Sequence, residues 1–187
     1  ENVEPALLAV LLWLLTHELV AVAAFSGGVR VSTGAYAGGI VAPFQVLTTP
    51  GAGRPADLRL WAVGTGSATA VASATVLPAD YTGGALVDAG DVDGDGGLDI
   101  AIAPDGGTPS LLRIFSMTQL RWIVDAPPGA AGFGGGLRLD IGRLSGGPGR
   151  AELITGAGPG GLPDVRVFQH GPDGGLERVR LTSLEVP

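Results

Sequence analysis

The chain has 187 residues, of which 33 are Gly and 14 are Pro, while 45% are apolar. That apolar content excludes wholesale disorder, and Gly and Pro at this density exclude a helical bundle over most of the length. The formal charge of −7, with Arg supplying all eleven basic residues, is a poor footprint for nucleic acid, and the absence of Cys removes thiol chemistry, disulfides and Cys-held metals.

From Pro5 to Phe25 the chain reads PALLAVLLWLLTHELVAVAAF. Leu and Ala dominate, which predicts a hydrophobic α-helix over residues 1–24. Glu1 and Glu4 suit the positive end of such a helix, Pro5 suits its first turn, and Gly27-Gly28 supply the stop. A helix of about 21 residues spans roughly 30 Å, the thickness of a bilayer core. Several readings of this segment compete. A cleaved signal peptide should begin with basic residues, and this terminus is acidic. A membrane anchor through residues 5–25 places His17 and Glu18 in lipid, which is expensive. Burial against copies of the same helix in an assembly, or against the rest of the chain, covers the apolar surface without that cost.

Beyond residue 25 the sequence repeats. Phe25-Ser26-Gly27-Gly28, Tyr81-Thr82-Gly83-Gly84 and Phe133-Gly134-Gly135-Gly136 share an aromatic-x-Gly-Gly pattern at spacings of 56 and 52 residues. A second anchor follows each: Arg59-Leu60-Trp61, Arg113-Ile114-Phe115 and Arg166-Val167-Phe168. Its aromatic lies 36, 34 and 35 residues after the first. Two landmarks holding register three times indicate repeat units over about 25–80, 81–132 and 133–187. Period-two alternation in Val29-Arg30-Val31, Leu137-Arg138-Leu139 and Val165-Arg166-Val167 predicts strands, as do the short runs Leu98–Ala103 and Glu152–Gly156. About four short strands per unit is the content of one propeller blade.

One loop carries chemistry. Asp91-Val92-Asp93-Gly94-Asp95-Gly96-Gly97-Leu98-Asp99 places acids at its first, third, fifth and ninth positions. Ca²⁺ takes six to eight oxygen ligands, so carboxylates must converge from a tightly curled backbone, and Gly94, Gly96 and Gly97 permit the curl. An EF-hand would need an acid at the twelfth position, where Ile102 stands. Four acids within nine residues repel one another unless a cation neutralises them, whereas a bland acidic turn has little reason to concentrate charge so. The candidate ligands are Asp91, Asp93, Asp95, the backbone of Gly97, and Asp99. The equivalent stretch of the third unit, from Gly142 to Glu152, carries Arg143 and Arg150, and that of the first, Gly34–Gly39, carries no acid.

These motifs, together with Gly156-Ala157-Gly158-Pro159-Gly160-Gly161 running into Asp164-Val165-Arg166-Val167-Phe168, resemble the FG-GAP/VCBS repeats over residues 25–187. These are the integrin-α-type propeller repeats of bacterial surface proteins. The resemblance implies four-stranded blades, Ca²⁺ loops between strands, an extracellular location, and roles in adhesion or recognition. Its calcium positions fall on Asp91, Asp93, Asp95, Gly97 and Asp99. Residues 3–25 resemble, with low specificity, the assembly helix of type IV-like pilins, which also leads into a β-rich head.

The expected architecture is therefore mostly β: three four-stranded propeller-type blades preceded by one hydrophobic N-terminal helix. Propellers close with four to eight blades, so three leave flanks to be covered, and copies of the same chain are the expected partners. Other cell-surface proteins or glycans are further candidates, and nucleic acid is not. His17 and His170 are the only histidines, His170 in a Gly/Pro turn where exposure is expected, and no cluster of acid, base and nucleophile accompanies either. No enzymatic activity is expected. The functional expectation is an extracellular structural or adhesive calcium-binding protein that self-assembles through its N-terminal helix, as a pilus-like filament or homo-oligomer. The alternative is a membrane-anchored adhesion or ligand-binding module at the cell surface.

Overall fold

Twelve strands occur among the described residues of the computed structural model, which are 25–34, 44–64, 66–108, 111–126, 133–144, 149–162 and 164–179. β1 (Val29–Gly34), β2 (Phe44–Pro50), β3 (Asp57–Gly64) and β4 (Ser67–Thr75) form sheet I. Sheet II holds β5 (Ala85–Gly90), β6 (Asp99–Pro104), β7 (Leu112–Ser116) and β8 (Arg121–Ala126). Sheet III holds β9 (Leu137–Gly142), β10 (Glu152–Ala157), β11 (Val165–His170) and β12 (Leu176–Val179). Each sheet is an antiparallel meander in chain order, because turns rich in Gly and Pro reverse the chain every few residues.

The described residues are all-β, and this corrects the expectation of a mostly-β fold led by a helix. No helix occurs among them, and none is long and apolar enough to cross a membrane. After residue 25 frequent Gly and Pro and short runs of period-two alternation give strands. The helix expected over 1–24, and with it the anchor or assembly role of residues 5–25, lies outside the described residues.

The chain divides into two units, Glu1–Ala85 and Leu86–Pro187. In the first, Val46, Trp61, Val63 and Ala68 form a buried cluster on one face of sheet I. The indole N–H of Trp61 donates to Thr48 Oγ1 at 2.9 Å, which removes the cost of burying it. The aromatic-x-Gly-Gly turns are knuckles. Phe25 lies under the guanidinium of Arg54, 5.6 Å from its ring centre, and the Tyr81 hydroxyl donates to the Gly84 carbonyl at 2.9 Å. Gly53 N–H donates to the Thr82 carbonyl at 2.8 Å, seating the second knuckle on the turn that follows β2.

In the second unit sheets II and III pack face to face. Ala101, Leu112, Ile114, Ile123 and Val124 from sheet II, together with Val92 of the loop between β5 and β6, meet Leu153 and Phe168 of sheet III, with Leu139, Ile141 and Leu176 packed around them. Leu112, Ile114 and Leu153 are fully buried, each contributing about 1.5–3 kcal/mol of transfer free energy. β6 is buried along its whole length, as a strand covered on both faces must be. The second anchors fall on the third strands. At two of them, between Leu60 and Trp61 and between Ile114 and Phe115, the pairing with the fourth strand slips by a residue. These bulges re-aim the anchor aromatics.

Candidate metal centre

Gly90 ends β5 and Asp99 opens β6, so residues 91–98 must curl within a short reach. The alternating acids do the curling. Asp91 accepts the N–H of Gly94 at 2.7 Å through Oδ1 and that of Gly96 at 3.1 Å through Oδ2. Asp93 Oδ1 accepts the N–H of Asp95 at 3.0 Å, and Asp95 Oδ1 that of Gly97 at 2.7 Å. Gly94 has φ +81°, a left-handed conformation that a Cβ would strain, and that Cβ would also lie 2.6 Å from Cγ of Arg150.

Asp99 behaves differently. It is fully buried, and its Oδ2 accepts the N–H groups of Val92 at 2.8 Å and Asp93 at 3.0 Å. Its other oxygen, Oδ1, is buried without a hydrogen-bond partner. Burial pushes the Asp99 carboxyl up to about 6, with the charge of Asp93 adding to the rise and the two backbone donors and the neighbouring Ser116 hydroxyl opposing it. A buried carboxylate oxygen with nothing to accept is costly, and a cation is one group that removes the cost.

One oxygen from each of Asp91, Asp93 and Asp99 lies within 4.8 Å of the other two. Oxygens bound at 2.3–2.6 Å to one ion are at most about 5 Å apart, so the three carboxylates can hold a metal ion. Of the ligands expected from sequence, the fold thus gathers these three. Asp95 stands outside the trio: its Oδ2 accepts the Thr118 hydroxyl, which holds its carboxyl below the usual range against a smaller opposing effect of burial. Gly97 is buried beside it, with Thr118 Cγ2 occupying the space a side chain would need.

Sequence reasoning missed the turn between β7 and β8. Gln119 Nε2 donates to Asp93 Oδ2 at 2.7 Å, and Ser116 Oγ lies 3.0 Å from Thr118 Oγ1. Asp99 pairs with Ser116 in the β6–β7 ladder, and this register carries the turn to the acidic loop. No local pattern marks Thr118 or Gln119, which stand 23 and 26 residues from their partners.

Sheet III shows what the same position does without the acids. Glu152 opens β10 as Asp99 opens β6, and its Oε2 accepts the N–H of Leu144 at 3.0 Å, as Asp99 accepts that of Val92. Glu152 Oε1 accepts Gln169 Nε2 at 3.2 Å, so both of its oxygens are satisfied by protein. The lower face of the loop also touches sheet III: Ala151 N–H donates to the Asp91 carbonyl at 2.6 Å. Arg150, over Gly94, donates to the His170 carbonyl. His170 is half-buried with Nε2 unpartnered, contrary to the exposure its turn suggests. Burial holds its pKa below the usual value, with Arg150 and Arg121 adding to the depression and Asp93 opposing it.

Comparison of the chain with family models, with curated proteins and with solved structures gives no match.

Proposed function

We propose that this chain is a non-enzymatic, calcium-pinned β-repeat module that works outside the cell as a structural or adhesive element and associates with copies of itself. The observation that carries the cation is Asp99 Oδ1, a buried carboxylate oxygen without a partner beside the carboxylates of Asp91 and Asp93. Ca²⁺ is favoured over Mg²⁺ because an all-protein set of carboxylates on a glycine-rich loop suits the larger, less demanding ion. Three acids on a partly exposed loop match the weak affinity class, about 10⁻⁴–10⁻³ M, that fills where calcium is plentiful. This supports an extracellular setting. The non-enzymatic reading rests on composition, with no Cys and two separated His.

The ion's work in this reading is mechanical. It neutralises the acids that curl the loop between β5 and β6, and so holds the surface against which Ala151 and Arg150 rest. The test is thermal unfolding with Ca²⁺ and with chelator, for the native chain and Asp93→Ala. At a hundredfold excess over Kd, Ca²⁺ should stabilise by about 2.7 kcal/mol, and Asp93→Ala should lose most of that gain. Melting curves that ignore both calcium and the substitution would refute the site.

A further inference from the structure

The turn between β7 and β8 meets the acidic loop with donors alone. The Thr118 hydroxyl donates to Asp95, and Gln119 Nε2 donates to Asp93 Oδ2 at 2.7 Å. Gln119 is itself held at two further points. Its Oε1 accepts the Nε–H of Arg121 at 2.9 Å, and its backbone N–H donates to Ser116 Oγ at 3.3 Å. The direction of the amide follows from its neighbours: Arg121 can only donate and takes the oxygen, which leaves the NH₂ for a carboxylate that can only accept. The root of the turn is fastened to the loop as well, since Met117 N–H donates to the Leu98 carbonyl at 3.0 Å and the fully buried Ser116 pairs with Asp99.

This turn is not relaxed. Leu120, with φ +52°, is the one residue other than Gly with a left-handed backbone among the described residues. It is 73% exposed, so burial of its side chain does not offset the strain. What the conformation gains is reach: it sets Thr118 and Gln119 against acids 23 and 26 residues away. Asp93 needs such a partner. The loop supplies it with one donor, the Asp95 N–H on Oδ1, while the nearby carboxylates of Asp91 and Asp99 repel it. A carboxylate left to swing must be brought back before it can bind a cation, and one already held binds without that cost. Charge matters as much as reach. Gln119 is neutral, so it fixes Asp93 without cancelling the charge that attracts an ion. Arg121, whose charge would cancel it, stands one step behind with its Nε–H on the amide oxygen.

We propose that Gln119 is a positioning residue of the cation site: oriented by Arg121, it holds Asp93 where a cation shared with Asp91 and Asp99 can take it, and so sets the affinity for Ca²⁺. This rests on the reading of those three carboxylates as cation ligands, and it adds a control that lies outside the loop, on the β7–β8 hairpin. Ligating carboxylates are fixed by such outer partners, and losing one costs about 10–100-fold in metal affinity. The competing role for Arg121 is that of a plain counter-charge to the acids. The two roles have opposite signs. Removing a counter-charge strengthens cation binding by Coulomb attraction alone, while loosening the brace on Asp93 weakens it.

Titration calorimetry of the full chain with Ca²⁺ at low ionic strength decides between them, using the native protein, Gln119→Ala, Arg121→Ala and the double variant. Gln119→Ala should weaken Ca²⁺ binding about tenfold or more. Arg121→Ala should also weaken it, despite the loss of a positive charge. Once Gln119 is Ala, the same change at Arg121 should no longer weaken binding, because the brace it orients is gone. Both side chains are exposed, so the metal-free melting temperature of each variant should stay near the native one. A fall in affinity without a fall in that temperature separates positioning of a ligand from support of the fold. If Gln119→Ala lowers that temperature as well, the sign of the Arg121→Ala effect still decides. A native chain that takes up no Ca²⁺ overturns the cation reading and this proposal with it. A native chain that binds, beside a Gln119→Ala variant that binds as tightly or an Arg121→Ala variant that binds more tightly, overturns the positioning role and leaves the three-carboxylate site standing.

Discussion

The carboxylate of Asp88, on β5, accepts the backbone N–H of Ile141, on β9, at 2.6 Å. This bond ties sheet II to sheet III at the point where Ile141 packs against Gly90 and the shared core. It satisfies a backbone donor that strand pairing does not use. Asp88→Ala should leave that N–H without its acceptor and cost about 1–3 kcal/mol. In a chain of this size the loss reads as a fall of roughly 2–4 °C in melting temperature per kcal/mol. An unchanged melting temperature would show that water replaces the carboxylate at no cost.

Asp140 sits near Asp88, and its carboxyl is raised, first by burial and then by the charge of Asp88. The sign follows from linkage: a carboxyl that holds its proton more tightly folded than unfolded penalises the fold once it ionises. Its contribution to stability therefore worsens as pH rises from the ordinary carboxylate value of 3.8 through the raised one. Asp140→Asn should raise the melting temperature at pH 7, and the gain should shrink as the pH is lowered toward 4. A gain that is constant across that range would point to a cause other than titration.

Gly94 and Arg150 form a testable couple. Gly94→Ala forces a side chain into a left-handed backbone and into the Arg150 stem, and should cost about 1–2 kcal/mol from the backbone alone. Arg150→Ala removes the collision and leaves the backbone strain. The double variant should thus be less destabilised than the two single losses added together, which chemical denaturation of all four proteins would measure. Strict additivity would mean the two residues do not meet.

Asp99→Asn separates folding from metal. Its side-chain carbonyl still accepts the N–H groups of Val92 and Asp93, so the metal-free protein should retain its melting temperature within a few degrees. The stabilisation by Ca²⁺ should disappear, because an amide replaces the unpartnered oxygen. Glu152→Ala should do the reverse: it strands Leu144 N–H and Gln169, costing about 1–3 kcal/mol, while the calcium response persists. Calcium titrations followed by melting temperature distinguish the two outcomes.

Much of this was readable from residues alone. The three knuckles stand directly before β1, β5 and β9, because aromatic-x-Gly-Gly is a backbone requirement and Gly cannot be replaced where φ is positive. The three Arg-x-aromatic anchors fall on β3, β7 and β11. The acidic loop announced itself through spacing, since carboxylates two apart on a curling chain face its inside. Burial was less legible. Nothing local distinguishes Asp99, sealed under the core, from Asp95, which faces Thr118 near the surface. Nor does the sequence show that Glu152 takes the place of Asp99, because the loop ahead of it differs in length and charge. His170 misled for the same reason: its turn composition implies water, while in the fold it is half-buried and its carbonyl accepts Arg150 from the end of another loop. The helix expected over 1–24 rests on residues outside those described and has no counterpart within them.

The bonds Gly53–Thr82 and Gly107–Gly134 run from main chain to main chain and ask nothing of side chains except that they be small. Such a seam is indifferent to most amino-acid change. The stretch from Gly142 to Glu152 carries arginines where the Asp91–Asp99 loop carries acids, and the anchors carry Trp or Phe, yet the main-chain bond has the same length at both places, 2.8 Å.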